Sequence, residues 1–236
     1  MKIVKYTKIK SKKLLIANSL NGFALLTLLA ICSNGQAAAS AGEKIANILS
    51  LEGGGARAIT HLTFLSEVEM EAKCQTGVHI PISKIFDIIG GSSAGAIVAA
   101  GLTLPDSTSG DKAVWRPRFT AKNLLSEFET QLPNLFQSQC SLWGLLGPKY
   151  KSSGPQQVAE NIFGNTTFDQ ALTRTMITTF DLESNQTVLF KSWKPNRSCF
   201  YIADVVRGSG AAPTYFDPHK MSSINGTPLV TRGFKR

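Results

Sequence analysis

Twice near the start of the mature-looking part of this chain, an apolar run ends in a glycine-rich turn and gives way to helical spacing. Residues 45–51 alternate apolar and small polar side chains as a strand does, and Glu52-Gly-Gly-Gly-Ala-Arg57 follows. Residues 58–72 then place Ile59, Leu62, Leu65, Val68 and Met70 along one helical face. The second instance is a buried strand at 85–89, the turn Gly90-Gly-Ser-Ser93, and a helix of small residues at 94–102. Strands alternating with helices predict an α/β fold around a mostly parallel sheet.

Residues 104–151 break this rhythm with Gly, Ser, Pro and scattered aromatics around Trp115, Trp143 and Tyr150. They read as an excursion over the end of the sheet, with a helix at 121–132. Packing of those aromatics is favoured over an amphipathic lid. Beyond it, 156–163 has helical spacing, and 176–180 and 187–193 form paired strands about the polar turn 182–186. A helix starting near Ile202 ends at Ser209-Gly-Ala-Ala-Pro213, and Pro228-Leu-Val230 is a last strand.

Both glycine turns suit acyl-transfer chemistry. Gly91-x-Ser93-x-Gly95 between strand and helix is the setting of a nucleophile elbow, where the turn is too tight for neighbouring Cβ atoms. The turn at Gly53-Gly54-Gly55 exposes backbone N–H groups at the positive end of a helix, as an oxyanion hole requires. Gly53-x-Gly55-x-x-Ala58 also fits a dinucleotide fingerprint, which expects an acidic residue ending the next strand. That strand runs into Gly-Gly-Ser-Ser instead, so a nucleotide-binding domain is the weaker reading.

Together with Val206-Arg-Gly-Ser-Gly-Ala-Ala-Pro-Thr-Tyr-Phe216, these motifs resemble, in type and order, the patatin-like phospholipase family over residues 45 to 230. Glu52 replaces the family's usual Asp, and Ala58 its usual Gly. The resemblance implies a three-layer α/β/α fold and a Ser-Asp dyad acting on lipid esters. Ser93 is then the nucleophile, Gly53, Gly54 and Gly55 supply the oxyanion donors with Arg57 beside them, and Gly91 and Gly95 shape the elbow. The family's general base is the Asp of a D-G-G motif after the strand that 228–230 represents. Thr231 stands there, so no general base is expected. The likeness fails after Val230 and the chain ends at Arg236, which reads as a domain of residues 42–236 cut short or diverged, an inactive or lipid-binding relic being the alternative.

Other carboxylates, Asp181, Asp204 and Asp217, match no family position, and Asp217 reads as a turn residue. His219, the one histidine after Ser93, lies in the turn-like Asp-Pro-His-Lys run and is expected to be exposed and idle.

Residues 1–41 read as a signal peptide: six lysines within the first 13 residues, an apolar core at 22–31, and small residues at 37–41. A secreted or periplasmic location follows, an uncleaved membrane anchor being the alternative. Removing those lysines takes the formal charge from +9 to +3, which undercuts a nucleic-acid partner. Cys32 falls in the leader, and Cys74, Cys140 and Cys199 allow at most one disulfide. No metal-site spacing and no cofactor motif is present; a lipid ester is the expected partner.

Overall fold

The computed structural model describes residues 7–9, 12–16, 46–107, 110–136 and 149–233. A short hairpin, β1 (Thr7–Ile9) and β2 (Lys12–Ile16), lies parallel along the edge of β3 (Ala46–Leu51). Otherwise the expected leader lies outside the described residues.

After a single 3₁₀ turn at Gly55–Arg57, α1 runs from Ala58 to Thr76 and stops where Gly77 adopts φ 73°, its N–H returning to the Lys73 carbonyl. One correction concerns its inner face. Met70 is 53% exposed, and the buried stripe continues through Glu69, which is only 4% exposed. The Glu69 carboxylate earns that position by accepting from the N–H groups of Ile82 (3.1 Å) and Ala121 (2.9 Å), each the first residue of a helix. A negative charge at two helix N-termini outweighs the apolar pattern that favoured Met70.

The second strand also differs from expectation. Residues Ile82–Ile85 form one helical turn, α2, started at Pro81, and β4 runs from Ile88 to Ser92, straight through the glycine pair. Flanking strands hold it extended: Gly90 and Gly91 pair with Ser50 and Leu51 on β3 and with Met176 and Ile177 on β5 (Arg174–Asp181). α3 (Ala94–Thr103) follows directly.

The excursion contains α4 (Ala121–Leu135), three residues longer than expected and carrying Pro133 in its last turn. Just after the excursion, α5 (Ser153–Phe163) starts three residues earlier than the 156–163 spacing predicts, and its Pro155 lies in the first turn, where an N–H has no helical partner to lose. Trp143 and Cys140 lie outside the described residues. β6 (Gln186–Lys191) pairs antiparallel with β5, and α6 (Pro195–Ser198) and α7 (Ile202–Gly210) precede β7 (His219–Ser222) and β8 (Pro228–Arg232). Cys74 and Cys199 are free thiols.

The sheet order is β1-β2-β3-β4-β5-β8-β7, with β2 to β5 parallel and antiparallel strands around them. A strand has two edges, and β6 occupies one edge of β5 along 176–181. β8 therefore meets Phe180 and Asp181 on the edge that β4 uses for 174–178, continuing past the point where β4 ends. α3 and α7 pack on this central region, with α1, α4 and α5 around them, in a core of Leu62, Leu65, Ile89, Val98, Phe128 and Ile177.

Candidate active site

Ser93 follows the last residue of β4 and precedes the first of α3, with φ 51° and ψ −123°. A non-glycine residue with positive φ outside the small left-handed well is strained, at a cost of about 1–3 kcal/mol. The surroundings enforce it. A Cβ on Gly91 would lie 2.2 Å from the Gly95 carbonyl oxygen, and one on Gly95 2.3 Å from the Leu51 oxygen. Only glycine at both positions lets α3 start so close to the ends of β3 and β4.

That closeness brings the two predicted turns together. A Cβ on Gly53 would lie 2.8 Å from the Ser93 Cβ and 3.0 Å from the Ser92 oxygen, so the triple-glycine turn rests directly on the elbow. The Gly53 N–H donates to Ser92 Oγ at 3.2 Å. Gly55 takes φ 60°, and Arg57 folds back over Gly54, its Nε 3.5 Å from the Gly54 oxygen.

Ser209 was not singled out by the sequence, yet it secures the elbow. Its hydroxyl accepts from the Ser93 N–H at 2.8 Å and donates to the Thr178 carbonyl at 2.7 Å, tying the strained residue to α7 and β5. In a motif of small residues nothing marks it out; only the fold shows what its oxygen reaches.

Ser93 opens into a cavity of about 820 Å³ between α4, α5, α7 and the glycine turn. Phe128, Leu135, Val158, Ile162, Phe163 and Phe216 make its wall mostly apolar, and Gly53, Gly54, Gly55 and Arg57 line it beside Ser93. Tyr150 also lines it, packed against Phe136, Tyr215 and Phe216 with ring centroids 5.6–6.1 Å apart. A partly open, mostly apolar space of this size suits an acyl chain.

Among the described residues, the cavity wall contains no Asp, Glu or His. Asp181 is engaged elsewhere: the Ser184 hydroxyl and the Glu183 and Ser184 amides bond it and hold its carboxyl below the usual range, which makes it a poor proton acceptor. Asp217 is exposed and accepts from Ser152 Oγ at 3.1 Å. His219 is not the idle turn residue expected. It opens β7 and its Nε2 lies 2.9 Å from Asp204 Oδ1 on α7, away from the cavity wall.

Thr231 sits within β8 rather than after it and is fully buried. It faces α7 so closely that a Cβ on Gly208 would approach its Oγ1 to 2.3 Å. Thr231 pairs with Asp181 three residues beyond Thr178, the partner of Ser92, which is about 10 Å along the strand. The residue after Gly208 is Ser209, the anchor of Ser93.

The sequence model of the patatin-like phospholipase family matches residues 49–230, most of the chain. The chain belongs to the patatin-like phospholipase family. Among its relatives, Patatin-like protein 1 of Arabidopsis thaliana is 32% identical over 76% of this chain and 44% of its own length. Patatin-T5 of Solanum tuberosum is 31% identical over 84% of this chain and 50% of its own. The chain thus spans about half the length of these patatins. Among solved structures, VipD from Legionella pneumophila aligns over 80% of this chain and 45% of its own with 15% identity and a TM-score of 0.37. The expected α/β class of the patatin-like domain is what the strands and helices form.

Proposed function

We propose that this patatin-like chain carries a lipid acyl hydrolase site in which Ser93 attacks a carboxylic ester and the Gly53-Gly54-Gly55 turn stabilises the oxyanion. The observation that carries this reading is the strained Ser93 backbone held against that turn in the wall of a mostly apolar cavity. Ser93 Oγ adds to the ester carbonyl carbon, and the carbonyl electron pair moves onto oxygen, where backbone amides meet it. The adduct collapses, the alcohol leaves with a proton, and water hydrolyses the acyl-serine.

Thr231 takes the seat of the dyad's general base in this reading, so the hydroxyl proton passes to solvent water. Loss of such a member lowers turnover by on the order of 10⁴–10⁶-fold. The chemistry calls for no metal, cofactor or nucleic acid. The leader-like order of residues 1–41 supports a secreted or periplasmic location.

A serine-reactive fluorophosphonate on the purified chain tests the proposal. Stoichiometric modification at Ser93, lost in Ser93→Ala, with slow hydrolysis of a short-chain ester, is the expected result. The acid-free cavity wall favours a second reading, a lipid-binding protein without turnover. Absence of any modification would refute the hydrolase reading and favour the second.

A further inference from the structure

Arg207 stands within α7, directly after Val205 and Val206, and is only 4% exposed. Its side chain forms part of the wall of the Ser93 cavity. The guanidinium lies over the Phe216 ring, 5.5 Å from the centroid. Among the described residues Nη1 is buried with no hydrogen-bond partner, and no carboxylate pairs with the group. Burial works against the charged guanidinium, and Asp217, which bonds Ser152, favours it more weakly.

A buried cation without an anionic partner is costly, and a fold keeps one where a partner arrives from outside. Arginine is suited to that role, since its planar fork of donors matches phosphate and carboxylate oxygens and its weaker hydration eases burial. Arg57 adds a second positive charge to the same wall, and among the described residues no acid lines that wall.

We propose that Arg207 is an anion-binding, specificity-determining residue, so that the cavity selects an acyl amphiphile whose polar end bears an anionic oxygen group over a neutral one. Two sources fit that chemistry: the phosphodiester of a lipid headgroup and the carboxylate of a released fatty acid. The inference deepens the acyl-hydrolase reading and rests on it for the cavity's role, but its test needs no turnover, so either can fail alone.

Binding to the full chain is measured by calorimetry with three C12 probes below their micellar range: dodecylphosphocholine, dodecanoate and neutral dodecyl maltoside. At least one of the two probes that bear an anionic oxygen group, zwitterionic dodecylphosphocholine or dodecanoate, should bind about ten- to hundred-fold tighter than the maltoside, the worth of a hydrogen-bonded charge. Preference for the phosphocholine assigns the site to a headgroup; preference for dodecanoate assigns it to product. Arg207→Gln should erase that preference, while Arg207→Lys keeps part of it. The melting temperature of Arg207→Gln should not fall, because removing an unpaired buried charge relieves the apo fold, whereas a purely structural arginine would leave its variant less stable. Equal binding of all three probes, no binding of any, or an intact preference in Arg207→Gln would overturn the proposal.

Discussion

Replacing Ser93 by alanine and, separately, by glycine removes the same hydroxyl but treats the backbone differently. Alanine keeps a Cβ at φ 51° and ψ −123°, so the strain of about 1–3 kcal/mol stays in the folded state. Glycine tolerates that conformation. Against the relief stand the extra unfolded-state freedom of glycine, about 0.4–1 kcal/mol, and the contact of one half-buried Cβ, at most about 0.8 kcal/mol. The balance leaves Ser93→Gly about 1 kcal/mol more stable than Ser93→Ala, which for a domain of this size is a rise in melting temperature of about 2–4 °C. Thermal unfolding of the two variants side by side measures it, and neither needs activity. If Ser93→Gly melts below Ser93→Ala, the elbow stores less strain than the roughly 1–2 kcal/mol that the glycine costs add up to, and the argument from its geometry fails.

A methyl at Gly53 must displace either the turn or Ser93, so Gly53→Ala should slow fluorophosphonate modification by about 10²–10³-fold while the far-ultraviolet dichroism stays native. Thr231→Asp puts a carboxylate at the proposed base position and should raise ester turnover at least about a hundredfold above the pKa of that group, at some loss of stability; an unchanged rate would separate this position from the chemistry. His219→Ala should leave modification of Ser93 within twofold, because the His219–Asp204 pair lies outside the cavity wall; a larger drop would return His219 to the site. Burial holds the His61 pKa below its usual value of about 6.5, so below that pH the unfolded chain takes up a proton that the folded chain resists, and stability falls with acidification. Urea midpoints at pH 7 and pH 5 should therefore converge in His61→Gln relative to the parent chain.

The order of residues along the chain was enough to place the two glycine turns, the helices behind them, the paired strands β5 and β6 and the family, because each rests on contacts between near neighbours in sequence. Gly91-x-Ser93-x-Gly95 is legible since the absence of a side chain is itself the signal. Tertiary structure decided what depends on distant partners. Glu69 is buried and Met70 exposed because two helix N-termini, from 13 and 52 residues away, converge on one carboxylate. Ser209 serves Ser93 across 116 residues, and β8 lies beyond β4 only because β6 already fills the other edge of β5. Arg207 reads as one of two charges on α7, with Asp204, until the fold encloses it with no ion-pair partner among the described residues. Local pattern records what a residue does to its own backbone; desolvation and pairing are properties of the assembled interior.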